Sequence, residues 1–63
     1  MKNKVLELIK KYGETNPSFI WMMGQFMKEL PEDTTYEDIN NAFQQLYEEE
    51  KIEQVGEVNY KAF

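Results

Sequence analysis

The chain contains no cysteine, no histidine and no arginine among its 63 residues. Without cysteine there is no disulfide, and without cysteine and histidine the usual zinc ligands are missing, so neither staple of small domains is available. The same absences remove most catalytic chemistry. No imidazole can act as a base, no thiolate as a nucleophile, and Ser18, the single serine, has nothing to activate it. Gly13, Gly24 and Gly56 stand far apart, so there is no glycine-rich phosphate loop. Asp33 to Asp38 lacks the alternating oxygen ligands and central glycine of a calcium loop. A non-enzyme without cofactor or metal is expected. Long apolar runs are absent as well: the longest, Phe19 to Met23, is far too short for a bilayer. Glu and Lys interrupt the N-terminal MKNKVLELIKKYG where a leader would be apolar, so a cytoplasmic protein without membrane contact is expected.

What is present argues for a folded domain. Hydrophobic residues make up 41% of the chain and aromatics 14%, too rich for a disordered acidic tail. Residues 1–63 form one domain, whose single small core leaves a few kcal/mol of net stability, roughly 3–5. The net charge of -5 is unevenly spread. Lys2, Lys4, Lys10, Lys11 and Lys28 outnumber Glu7 and Glu14 in the first 28 residues, whereas ten carboxylates between Glu29 and Glu57 meet only Lys51. Charge runs commonly keep a surface solvated, but such a lopsided field also steers partners of one sign to each end.

Val5, Leu8, Ile9 and Tyr12 recur on one helical face, and Gly13 follows as a stop. Asn16-Pro17 is a restart, with Asn16 as cap and Pro17 in the first turn. The spacing predicts a second helix of about 14 residues running to Leu30, ended by Pro31. Its Phe19, Met22, Met23, Phe26, Met27 and Leu30 form a broad apolar stripe, with Trp21 projecting off it towards Gln25 and Lys28. Gly24 inside this helix suggests close approach by another backbone, or a tolerated imperfection costing about 1 kcal/mol. Thr34 or Thr35 caps a third helix over roughly 35–50, where Glu37 and Asp38 suit the first turn. Tyr36, Ile39, Ala42, Phe43, Leu46 and Tyr47 supply its apolar face.

Beyond Lys51 the period shortens to two, giving a hairpin around Val55-Gly56-Glu57 with Ile52, Val58, Tyr60 and Ala62 available to one side. Two registers compete. A Gly56-Glu57 loop pairs Val55 with Val58; a three-residue loop pairs Ile52 with Tyr60 and is preferred, because it gathers more apolar surface on one face. The fold class is α+β, mainly α: three helices and a C-terminal two-stranded hairpin.

That order resembles a winged helix-turn-helix domain over essentially the whole chain. KVLELIKKYGE is similar to the family's common first helix, and AFQQLYEEEKIE to its third-helix exit into the wing. The resemblance implies a DNA-reading face of Glu37, Asn40, Asn41, Gln44 and Glu48, with Lys51 and Lys61 on the wing. Three departures matter. Glu50 stands where members often carry glycine, which predicts a less sharply turned junction. The second helix is longer than usual. Glu29 to Glu50 holds no cation, although phosphate contacts need Lys or Arg.

Two functional readings follow. In the favoured one the chain is a regulatory adaptor or inhibitor that binds a protein with a basic or apolar surface. Trp21, Met22 and Gln25 supply the apolar contact, since aromatics and Met are enriched in interface cores. Glu37, Asp38, Asn41 and Glu48 supply electrostatic selectivity. Alternatively Trp21 folds over a neighbouring element and completes the core. The second reading is a DNA-binding regulator using Asn40, Asn41 and Gln44, which can read adenine edges, together with Lys51 and Lys61. A homodimer fits either reading, and pairing of the second helix with its own copy makes a purely structural oligomer the third.

Overall fold

The computed structural model describes residues 1–63 as four helices and a hairpin: α1 (Lys2–Tyr12), α2 (Pro17–Met22), α3 (Gly24–Met27), α4 (Tyr36–Glu48), β1 (Ile52–Val55) and β2 (Asn59–Ala62). It is α+β and mainly helical. Val5, Leu8 and Ile9 of α1 pack with Ile20, Phe26 and Leu30 from the second helical segment, with Ile39, Ala42, Phe43 and Leu46 of α4, and with Ile52 of β1. One core therefore draws on every helix and one strand.

The expected second helix is broken. Met23 adopts an extended conformation (φ -85°, ψ 110°), and Gly24 begins a separate short helix. A straight fourteen-residue helix would be about 21 Å long at 1.5 Å per residue. The domain measures 27 × 18 × 18 Å, so such a rod would overrun it in two of three directions. The break re-aims the side chains: Ile20, Phe26 and Leu30 point inward, while Phe19 and Met22, placed on the stripe by the unbroken period, face solvent. Gly24 has open space where a Cβ would stand, so it accommodates no close backbone approach. Its place is at the start of a helix, not within one.

Local signals fare better. Asn16 accepts a hydrogen bond from the Phe19 N–H (2.8 Å), with Pro17 in the first turn of α2. Thr35 caps α4 in a reciprocal capping box with Asp38, its hydroxyl accepting the Asp38 N–H (3.1 Å) while the Asp38 carboxylate accepts the Thr35 N–H (3.0 Å). Thr34, the other candidate cap, is buried with its hydroxyl unpartnered.

The helix-to-hairpin junction turns sharply despite lacking glycine. Glu50 takes the left-handed conformation at φ 59°. Its N–H bonds the Tyr47 carbonyl (3.1 Å) and the Lys51 N–H bonds the Leu46 carbonyl (2.9 Å), the paired bonds of a Schellman ending. The left-handed region costs a residue with a Cβ about 1–2 kcal/mol, partly offset in glycine by its freer unfolded chain. Glu50→Gly is therefore expected to raise stability by about 0.5–1 kcal/mol in urea unfolding. A loss would mean that the Glu50 side chain contributes more than its backbone strain costs.

The hairpin pairs Ile52 with Ala62, Glu53 with Lys61, Gln54 with Tyr60 and Val55 with Asn59. Neither expected register is adopted. The loop has three residues, but they are Gly56, Glu57 and Val58, and Ile52 lies opposite Ala62 instead of Tyr60. The shift is two residues from the preferred register, so its face survives: Ile52, Tyr60 and Ala62 still share one side. Val58 moves into the exposed loop. Gly56, at φ 71°, supplies the left-handed turn position. Two long-range ties hold the hairpin. Thr15 and Tyr60 exchange backbone bonds of 2.8 and 2.6 Å. Asn59 donates to Glu14 (2.8 Å) and accepts from Asn16 (2.8 Å), joining β2 to the turn between α1 and α2.

Candidate interaction surface

Trp21 lies on the seam between α2 and α4. Its ring meets Tyr36 edge to face, with centroids 6.3 Å apart and planes at 87°, and it is 41% exposed. It is neither a free hot spot nor a core residue. The Tyr36 hydroxyl lies 3.2 Å from that of Ser18, which fixes the ring between the two helices. Met22, next in the chain, is 80% exposed, and Phe19 and Gln25 are also exposed. The break at Met23 creates this arrangement by turning one side of α2 outward.

On α4 the buried arc is Ile39, Ala42, Phe43 and Leu46. At 100° per residue, Glu37, Asn41, Gln44 and Glu48 point directly away from it. Tyr36, Asn40 and Tyr47 flank the hairpin side, and Asp38 flanks the α1 side. All of these residues are exposed. Tyr36 and Tyr47 were assigned to the apolar face by spacing, yet are 42% and 47% exposed. They sit at the rim of the arc, where an amphipathic ring can pack one edge and wet the other. Tyr47 packs on Tyr60, which also contacts Phe43. With the loop residue Val58, which lines a recess with Tyr36 and Tyr60, these side chains make the hairpin side of α4 apolar.

Glu37, Asn41 and Glu48 share the outward stripe of α4, whereas Asp38 stands on its α1 side. Asp38 is committed to capping, its carboxylate held by the Thr35 N–H. Asn41 lines a shallow recess with Met1 and Lys2, and Glu48 lines a different groove near the end of α4. Sequence spacing placed these residues on one helix correctly but could not show how separate their surroundings are.

Nor are the hairpin cations free. Lys51 pairs with Glu49 (3.5 Å) and Lys61 with Glu53 (3.4 Å). On α1, Lys4 pairs with Glu7 and Glu29, Lys11 with Glu29, and Lys2 with Glu49. Of the seven lysines, only Lys10 and Lys28 stand outside an ion pair. The fold thus folds the basic end of the chain back over part of the acidic end. No group of three His, Cys, Asp or Glu side chains is arranged to hold a metal ion, and no helix is long and apolar enough to cross a membrane.

The Glu49 carboxyl is held below its ordinary value of 4.5, chiefly by the hydrogen bond from Lys2. Desolvation opposes this, and the charges of Lys2 and Lys51, with a hydrogen bond from Lys51, add to the lowering. A lowered folded-state pKa means that the pair contributes fully above the ordinary value and is lost as pH falls through the folded one. Carbon-detected titration of the Glu49 carboxyl is expected to give a midpoint below 4.5, and Lys2→Met should return it upward. An unchanged midpoint in the variant would remove Lys2 as the cause.

Compared with known proteins, the chain matches no family model, no curated protein and no solved structure.

Proposed function

We propose that the chain is a winged-helix-like, non-catalytic binding module whose partner is a protein, which it serves as a regulatory adaptor or inhibitor. The observation that carries this reading is the pairing of both wing lysines with carboxylates beside an α4 face that bears no cation. Nucleic-acid affinity grows with the number of phosphates neutralised, and here each candidate cation already has a counter-charge in the chain. Beside the would-be reading face this domain exposes Trp21, Tyr36, Tyr47 and Val58. Exposed aromatic and Met side chains suit a desolvated protein contact. Glu37 and the unpaired Glu48 then favour a partner that is basic around an apolar centre.

Titration of isotope-labelled protein with a random-sequence DNA duplex at low salt tests the exclusion of DNA. The backbone amides of Asn40, Gln44, Lys51 and Lys61 are expected to stay unshifted. Salt-reversible shifts centred on those four would overturn the protein-binding reading in favour of the DNA-binding regulator. The positive arm uses Met22, because its exposure separates binding from stability, whereas truncating the half-packed Trp21 disturbs both. A photo-crosslinking side chain at position 22 should give discrete protein adducts in the source cells, and one at Lys10 should not. Equal, diffuse labelling at both positions would remove the α2 surface from the proposal.

A further inference from the structure

Next to the Trp21–Tyr36 seam lies a recess of about 230 Å³ where the start of α2, the first turns of α4 and the hairpin loop meet. Its walls are apolar at Pro17, Val58 and the rings of Tyr36 and Tyr60. Small-molecule sites usually run to about 300–1,000 Å³, so this one is sized for a single long side chain. Tyr36 belongs to both features, because its ring also meets Trp21.

The polar groups of the recess have acceptor capacity to spare and no cation among them. Glu57 is the one charged residue, and it enters no ion pair. The loop that carries it is held in place, since the Gln54 side-chain amide donates to the Glu57 carbonyl (2.9 Å). Asn40 is exposed, with its carboxamide unused by the rest of the chain. The Ser18 and Tyr36 hydroxyls share one hydrogen bond (3.2 Å), which leaves acceptor lone pairs on both. Asn16 is spent, because it accepts from the Phe19 N–H and donates to Asn59.

We propose that this recess receives an arginine side chain of the partner protein, set among apolar residues that cover Trp21 and Met22. A guanidinium presents a planar fork of N–H donors and no acceptor, which matches a carboxylate, a carboxamide oxygen and two hydroxyls. Its flat face and aliphatic stem suit tyrosine rings. An ammonium would meet the carboxylate as a point charge without spanning the other acceptors. A second copy of this chain cannot be the occupant, because the chain contains no arginine. A phosphate backbone is repelled by the same carboxylate. The inference rests on the protein-binding reading and names the chemistry of one part of the partner.

The probe is a short acetylated peptide with one arginine between leucines, titrated into the isotope-labelled full chain. Shifts are expected at the Ser18, Glu57 and Val58 amides and at the side-chain amide of Asn40. Citrulline in place of the arginine keeps the shape and loses the charge, and should weaken binding about tenfold. Glu57→Gln should weaken the arginine peptide about fivefold, as for an exposed ion pair, whereas Glu7→Gln, the same change of net charge on α1, should leave it unaltered. Glu57 is an exposed loop residue, so its replacement leaves the core intact. No shift at Asn40 and Glu57 with millimolar peptide overturns the proposal. So does equal binding by the citrulline peptide, or equal weakening by the two glutamine variants. The protein-binding reading is tested separately by crosslinking from position 22. Adducts there beside a silent recess would leave that reading standing and sink this one.

Discussion

Phe26→Ala is expected to cost about 3–5 kcal/mol, the range for removing a buried aromatic ring from a core. Phe26 is fully buried and touches the rings of Tyr12 and Phe19, so it links α1 to both halves of the broken second segment. The four-residue helix that carries it has too few internal bonds to persist without tertiary packing. For a chain of this length the total stability is about 3–9 kcal/mol at 0.05–0.15 kcal/mol per residue. Losing Phe26 removes most of that. Circular dichroism is expected to show a largely unfolded chain at physiological temperature, and urea unfolding at low temperature should give the residual stability. A loss under about 1.5 kcal/mol would show that the site collapses around the cavity and that α3 is not the keystone of the core.

The second large effect is expected at Ile52. It is the only hairpin residue that is fully buried, and it anchors β1 against the helices. An isolated two-stranded hairpin is marginal in water, so this one depends on that anchor and on its ties at Tyr60 and Asn59. Ile52→Ala should cost about 2–4 kcal/mol in urea unfolding. Amide exchange of Glu53 and Val55, the β1 groups that bond β2, should accelerate more than that of α1. Equal acceleration everywhere would mean that the hairpin and the helices unfold as one unit. A loss below about 1 kcal/mol would instead make the Thr15–Tyr60 bridge and the Tyr60 ring contacts the principal attachment.

Local chemistry was the legible part of the chain. Asn16 and Pro17 start a helix because a side-chain oxygen satisfies an orphan N–H and proline needs no hydrogen bond there. Gly13 and Gly56 mark positive φ, where a missing Cβ removes a clash. The α4 core arc followed from its period, although the tyrosines at its margin did not, because periodicity gives direction without giving the extent of the neighbouring surface. Glu50 illustrates the converse. A carboxylate where glycine was expected suggested a softer turn, yet the backbone bonds of the junction hold it left-handed.

The candidate site was less legible than the fold. Trp21 and Met22 were singled out by composition, and both retain exposed surface. The seam partner of Trp21 is Tyr36, fifteen positions away, and no local pattern announces such a contact.

By itself the sequence determined the order of helices and hairpin, most of their caps and turns, the inward face of α4 and the absence of histidine and cysteine chemistry. These rest on interactions within a few residues or on composition alone. Only the tertiary structure decided the break at Met23, the hairpin register, the two-sided position of Trp21 and the pairing of lysines with distant carboxylates. Each of those is a competition among long-range contacts. A helix breaks where the core is better filled by turning, a strand slides by two residues without changing its faces, and an ion pair forms only when folding brings opposite charges within a few ångströms.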